Sequence, residues 1–359
     1  MIQIVSAVQS ERTLLPADPG LLPRLLTGDT PVTGGWQEVE APGLIGGMPC
    51  GDVILCHARD VYYLPKVGLL LRADGQVLQS SLMAIPGGLA FLDRLPGMQG
   101  GRFVPPARMT RRARGAVWMS FGAARNYGHF LFDGLTGLNW LRQAGVLAQY
   151  PAIGPRLRVW HRDLVAAVGA GVTELADDVV ELDEVVFTSC LNHYLHRSGR
   201  LLNELAAHFA APTGQQMLYV SRRGFSGRIL LNEADLEARL TLAGVRVLRP
   251  ERMSVAAQIT AVQGARMLIG PSGAALANLC FLQRGGVVVE IRPAPVDEPW
   301  LGLASANLGL KHRVVWASGS LPTVPLWARV RQAPRALLGK YHYAYEVDIP
   351  SVLAACGLP

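Results

Sequence analysis

Met217-Leu218-Tyr219-Val220, followed by Ser221-Arg222-Arg223-Gly224-Phe225-Ser226-Gly227-Arg228, opens the part of the chain whose reading decides the fold. The four apolar residues read as a buried strand, and the Gly- and Arg-rich run after them reads as a loop. Asn232 then stands before a helical pattern over 233–243, with Asp235 at its third position in a capping-box-like arrangement, and Gly244 ends it. Val245-Arg246-Val247-Leu248 is the next strand, and Ser254 can cap a helix that runs to about Gly264. Met267-Leu268-Ile269 is a third strand. A turn, Gly270-Pro271-Ser272-Gly273, a helix over 274–282 and a fourth strand, Val287-Val288-Val289-Glu290-Ile291, complete the pattern. Short apolar strands alternating with helices build βαβ units on a parallel sheet. Residues 213–321 are therefore predicted to form a Rossmann-like α/β domain.

Outward from this region the signal weakens. Residues 1–212 are assigned to an N-terminal domain, β-rich over 1–115, where Gly and Pro are frequent and apolar runs such as Val53-Ile54-Leu55 and Gly68-Leu69-Leu70-Leu71 are short. Asp74-Gly75, between Leu69-Leu70-Leu71 and Val77-Leu78, reads as a hairpin turn. A helical pattern covers residues 126–144 and stops at Gly145. Leu157-Arg158-Val159-Trp160 and Glu184-Val185-Val186-Phe187 read as strands, and residues 322–359 as a helical C-terminal extension.

Composition bounds the function. The chain has 359 residues, 50% of them hydrophobic and 17% charged, which excludes intrinsic disorder. Its length suits two domains with full cores. The net charge is +7, from 34 Lys+Arg against 27 Asp+Glu, and all but Lys66, Lys311 and Lys340 of the basic residues are arginine. A GC-rich genome explains that bias; so does a need for guanidinium forks that grip phosphate or carboxylate. The arginines are dispersed, and no zinc-finger, RRM or basic-helix signature accompanies them, so no nucleic-acid partner is expected. Five scattered cysteines (50, 56, 190, 280, 356) match no common zinc spacing and read as reduced thiols. The start lacks a basic n-region, and the uncharged stretch Met267–Gln283 is broken by Gly270, Pro271, Ser272, Gly273 and Asn278. A cytoplasmic protein is expected. The basic run Arg329–Lys340 leaves peripheral contact with the inner face of a membrane open, with a solvated face as the plainer reading.

Three groups of residues could carry chemistry. Asn126, His129 and Asp133 fall within an arc of about 60° on one helix face, so an amide, an imidazole and a carboxylate share it. The plain reading makes Asn126 an N-cap and His129 a satisfied core residue. The functional one makes His129 a general base beside Asp133, whose carboxylate raises imidazole basicity. Arg222 and Arg228 lie in a loop directly after a strand, where open α/β sheets bind ligands, and two arginines there can clamp a diphosphate; the plain reading is a solvated loop. Gly270, Ser272, Gly273, Ala274, Ala275 and Asn278 form a strand–turn–helix junction whose small residues admit an anion to a helix N-terminus, although a tight structural turn would look the same. The junction lacks the Lys-Ser/Thr of a P-loop and is not G-x-G-x-x-G. Glu290, on the next strand, could hold ribose hydroxyls or simply meet solvent.

These motifs in their order resemble glycosyltransferase family 61: N-Y-x-H-F-L-x-D at 126–133, Y-V-S-R-x5-R-x3-N-E at 219–233, Ser254-x3-Gln258, G-P-x-G-A-A-L-x-N at 270–278 and V-V-E-I-x-P at 288–293. The family includes capsular-polysaccharide-type bacterial enzymes, plant xylosyl- and arabinosyltransferases and eukaryotic O-linked N-acetylglucosaminyltransferases. The resemblance covers about residues 117–293. It implies a GT-B fold, two Rossmann-like domains facing a cleft. It also implies inverting, metal-independent transfer of a sugar from a nucleoside-diphosphate donor, UDP foremost, to a glycan or glycolipid acceptor in polysaccharide biosynthesis, with no cofactor. By the same resemblance Arg222 and Arg228 hold the donor diphosphate. Asn232 and the 270–278 junction shape the nucleotide site, and Asn126, His129 and Asp133 face it. Family members commonly carry His where this chain has Ser272, a departure that motivates the alternative of a nucleotide-sugar-binding protein without catalysis.

Overall fold

The computed structural model describes residues 4–5, 13–14, 36–39, 54–72, 75, 77–78, 95–99, 102–119, 122–188, 199–209, 214–225, 228–293, 300–321 and 344–359. Cys50, Asp74, Cys190, Ser226, Gly227 and the basic run 329–340, all named above from the sequence, lie outside the described residues. The chain divides into two compact units, one of Met1–Leu22 with Met48–His208 and one of Pro23–Gly47 with Phe209–Pro359.

The first unit is built on a mixed sheet. Strand β2 (Ile54–Leu64) pairs antiparallel with β3 (Leu69–Arg72) on one side and with β8 (Val180–Thr188) on the other. From β8 the sheet continues in parallel through β5 (Thr110–Val117) and β6 (Ala152–Pro155) to β7 (Val172–Leu175). The short β4 (Val77–Leu78) returns antiparallel to β3 through Gly75, whose φ of +80° suits the turn. Alternate residues of these strands, among them Val61, Tyr63, Val117, Ile153, Leu182 and Phe187, close into one apolar core.

Between β5 and β6 the chain forms helix α1, residues 127–143. It begins as an α-turn (Tyr127–His129), widens into a π-helical segment (Phe130–Leu135) and resumes as α-helix (Thr136–Gln143). The predicted strand at Leu157–Trp160 is instead the entry to helix α2 (Val159–Ala167). Two features select the helix. The Arg158 N–H donates to His161 Nδ1 at 3.1 Å, and Trp160 and His161 both pack their rings on Phe130 of α1. A four-residue apolar run cannot tell strand from helix by its period, and here tertiary packing decides. Helix α3 (Gly199–His208) packs against the second half of α1, with His208 beside Asn139 and Arg142.

The second unit is a doubly wound α/β structure. Strands β9 (Gln216–Val220), β11 (Arg246–Leu248), β12 (Ala265–Pro271), β13 (Val287–Pro293) and β14 (Lys311–Leu321) are parallel and lie side by side in the order β11-β9-β12-β13-β14. In chain order that is 2-1-3-4-5. Beyond β14 come the antiparallel β15 (Ala344–Glu346) and then β10 (Ile229–Leu230), while β1 (Trp36–Val39) pairs antiparallel with β14. Helices α4 (Glu233–Leu242) and α7 (Ile349–Cys356) cover one face, where Leu236, Leu240, Val352 and Leu353 meet Ile269, Val289, Ile291 and Val315. Helix α5 (Val255–Gln263), a 3-10 helix (Ala274–Phe281) and α6 (Trp300–Asn307) form the layer on the other face. Residues 344–359, set apart in the sequence as an extension, are thus a strand and a helix of this unit. Among the described residues no helix is long and apolar enough to cross a membrane.

Candidate functional site

In a sheet of order 2-1-3-4-5 the connections from strands 1 and 3 leave in opposite directions, and the crevice between their C-terminal ends is where such folds bind ligands. Here those strands are β9 and β12. The loop that leaves β9 begins at Ser221-Arg222, and the turn that leaves β12 is Ser272-Gly273. Two of the groups marked in the sequence therefore meet at one place, and the contact between them is close. A Cβ at Gly273 would stand 2.2 Å from Arg222 Nη1, so the guanidinium lies across the glycine backbone in space that only glycine leaves open. Gly273 has φ +158°. Gly270 is also needed at its position, since a Cβ there would come within 3.0 Å of the Val220 carbonyl on β9.

The arginine loop is held rigidly. Glu233, in the first turn of α4, accepts a hydrogen bond from the Arg222 N–H at 2.7 Å and another from the Tyr219 hydroxyl at 2.9 Å. Burial raises the Glu233 carboxyl above its ordinary range, against the opposing pull of those two donors. One turn on, Glu237 pairs with Arg249 at 2.8 and 3.1 Å and with Arg223 at 3.2 Å. Burial alone would raise the Glu237 carboxyl, but Arg249, Ser221 and Arg223 outweigh it and hold it below the usual range. Arg223 and Arg249 are thus committed to α4. The Arg222 guanidinium lies instead over Gly273 and above the ring of Phe225, 5.7 Å from its centroid.

The other predicted site residues fall into different environments. Arg228 is half-buried and has φ +55°, a left-handed conformation that a non-glycine residue adopts at some cost. The Ser272 N–H donates to the Ile291 carbonyl at 2.9 Å, and its buried hydroxyl has no hydrogen-bond partner among the described residues. Ala274 and Ala275 open the 3-10 helix and are half-buried; the predicted α-helix over 274–282 is this tighter form.

Three of the residues named from the sequence have partners inside the fold. Asn232 stands at the N-cap position of α4, but its side chain does not cap the helix. Its amide exchanges two hydrogen bonds with the Val347 backbone, at 2.7 and 3.2 Å, and so fastens the C-terminal segment to the unit. Asn278 is buried, where its amide donates to Gln258 Oε1 and the Ala275 carbonyl, and Gln258 in turn donates to the Pro250 carbonyl. This explains the Ser254-x3-Gln258 spacing, since Ser254 caps α5 and Gln258, one turn on, ties α5 to the 3-10 helix. Glu290, assigned to ribose hydroxyls or solvent, is sealed inside the sheet layer. Arg292 grips it at 2.6 and 3.1 Å and His312 Nε2 lies 2.9 Å away, with Ser305 beyond at 2.9 Å from His312 Nδ1. Burial would raise its carboxyl, but these neighbours hold it far below the usual range.

The third group lies in the first unit. Asn126 caps α1 by accepting the His129 N–H at 3.2 Å, as the plain reading had it. The functional pairing forms as well, with His129 Nδ1 2.6 Å from Asp133 Oδ2. The carboxylate sits in the π-helical segment, a rare form that occurs at functional sites. Its side chain is fully buried, whereas His129 keeps 19% of its side chain exposed. A carboxylate on Nδ1 fixes the proton there and leaves Nε2 as the basic nitrogen. Gly122, at φ +87°, lies against the ring; a Cβ at that position would stand 3.4 to 3.6 Å from Cδ2, Cγ and Nε2. Behind the dyad, Phe130 stacks on His161, which is buried and neutral, its pKa lowered to about 4 by burial and by the charge of Arg158.

Gly122, Glu237, His161 and the Arg292–His312 pair carried no motif, while Glu233 closed the Y-V-S-R-x5-R-x3-N-E motif without a role of its own. Glu237 was legible only as a second carboxylate four residues after Glu233 on a helix that follows three arginines.

Residues 127–289 match the model of the family Glycosyltransferase 61. The match makes this stretch similar to that family's glycosyltransferase domain. It takes in His129, Asp133, Arg222, Arg228, Asn232 and the 270–278 junction, and stops one residue short of Asn126 at one end and of Glu290 at the other. No curated protein matches the chain.

Proposed function

We propose that the protein is an inverting glycosyltransferase of GT-B type that moves a sugar from UDP to a hydroxyl of a glycan or glycolipid, without a metal ion, in capsular-type polysaccharide biosynthesis in the cytoplasm. The observation that carries this reading is the Arg222 guanidinium lying on Gly273 at the switch point between β9 and β12. It supplies a fixed positive charge beside the turn's backbone N–H groups, an arrangement suited to a diphosphate leaving group. Arg228 is assigned to the same diphosphate, its left-handed backbone being the kind of local cost found at ligand-holding positions.

In the proposed reaction His129 Nε2 takes the proton of the acceptor hydroxyl. The acceptor oxygen forms a bond to the anomeric carbon as the bond from that carbon to the diphosphate oxygen breaks, and the electron pair leaves with UDP. Asp133 holds the imidazole by Nδ1 and stabilises the imidazolium that forms, which is why its burial and its short contact matter. Charge develops on the departing diphosphate, and Arg222 with the turn amides stabilises it without reorganising. Ser272 retains a hydroxyl donor for the same region.

Calorimetric titration with UDP, GDP and CDP tests the donor assignment. The expected result is micromolar-range binding of UDP that is lost in Arg222→Ala. Equal affinity of wild type and Arg222→Ala for all three would overturn it.

A further inference from the structure

We infer that Phe225 is the platform on which the donor's nucleobase stacks. The inference rests on the nucleoside-diphosphate reading above and deepens it. Four large apolar residues are exposed among the described residues, and Phe225, 47% exposed, is the aromatic one. An isolated exposed apolar side chain is ordinary; the position of this one is not. Phe225 belongs to the loop that leaves the C-terminal end of β9, at the switch point, and the guanidinium that covers Gly273 also covers one face of its ring.

The ring is presented by a fixed turn. The Phe225 N–H donates to the Arg222 carbonyl at 3.1 Å, closing a four-residue turn, and the third residue, Gly224, has φ +93°. A type II turn demands a positive φ there, which glycine supplies. The base of this turn is anchored by the Arg222 N–H on Glu233 and by Arg223 on Glu237. Phe225 is therefore held in place beside the anion-binding contact, with one face toward Arg222 and part of its surface in water. A nucleoside diphosphate has a planar base joined through a ribose to the diphosphate. An aromatic ring next to the group that binds the diphosphate matches that order, and stacking on a phenyl ring works for any base.

Titration calorimetry of wild type, Phe225→Ala and Phe225→Trp with two probes, UDP and inorganic pyrophosphate, separates the base from the phosphates. Phe225→Ala is expected to weaken UDP by about 10- to 100-fold while changing pyrophosphate by less than about 3-fold, and Phe225→Trp to hold UDP near wild type. Unchanged UDP affinity in Phe225→Ala overturns the inference and leaves the donor reading intact. An equal loss of UDP and pyrophosphate also overturns it, since the ring would then act only by holding Arg222. Failure of wild type to bind either probe overturns the donor reading itself.

Discussion

Gly273→Ala tests the proposed anion site by displacing one side chain. A methyl group at Gly273 would stand 2.2 Å from Arg222 Nη1, 3.2 Å from its Cζ and 3.8 Å from its Nε. These are the end atoms of a flexible side chain, so the guanidinium must leave while the backbone of the turn persists. Two consequences differ in size. The stability cost is the strain of an alanine at φ +158°, about 1–3 kcal/mol, or a fall in melting temperature of roughly 2–12 °C for a unit of this size. The binding cost is the loss of charge-assisted hydrogen bonds from Arg222 to a diphosphate, about 1.5–3 kcal/mol, a factor of roughly 10 to 150 in UDP affinity. Calorimetry below the melting transition separates the two, and Arg222→Ala supplies the reference: the double variant should bind UDP no more weakly than Arg222→Ala alone, because both changes remove the same contact. A folded Gly273→Ala that binds UDP as wild type does, or a double variant whose losses simply add, would refute the reasoning.

Three further outcomes follow from the buried groups. His161, neutral in the fold with a pKa near 4 against 6.5 in the unfolded chain, sheds a proton that the unfolded state keeps between those values. Its contribution is thus complete above about pH 6.5 and declines as the pH falls toward 4, by about 3 kcal/mol. Urea unfolding at pH 7 and pH 4.5 should show the stability gap between wild type and His161→Phe shifting by that order toward the variant, and a constant gap would contradict the assignment. Glu290→Ala leaves Arg292 and His312 buried without their carboxylate, at a cost of about 3–5 kcal/mol; calorimetric melting should fall by roughly 6–20 °C, whereas a ribose ligand would instead show a normal melt and weakened UDP. Gly122→Ala forces a side chain into φ +87° beside the His129 ring and should reduce turnover without altering UDP affinity, which parallel rate and titration measurements check.

Four strands of the second unit's parallel sheet were legible because each is a short, mostly apolar run and the runs alternate with capped helical patterns. From that pattern alone Arg222 and the Gly270–Gly273 turn could be set at strand ends. Their contact was not legible, because it depends on strand order, and the order 2-1-3-4-5 makes neighbours of the first and third strands. The dyad was read from spacing, and the π-helical segment that carries Asp133 left no mark in the sequence. Where the reading failed, the cause was a partner distant in the chain. Glu290 looked available because nothing local shows that His312, on the next strand, closes on it. Asn232 looked like a cap, and Val347, 115 residues on, claimed its amide. Leu157–Trp160 looked extended until Phe130 offered rings to pack against.

The central claim is that His129, held by Asp133, is the base of the proposed sugar transfer. Its most direct test is the rate of donor turnover, measured as UDP release from UDP-sugars with acceptor glycan, in wild type, His129→Ala and Asp133→Asn. The account predicts a loss of about 10²- to 10⁴-fold in His129→Ala and a comparable direction in Asp133→Asn, with UDP affinity retained in both. Near-wild-type turnover in both variants would contradict it.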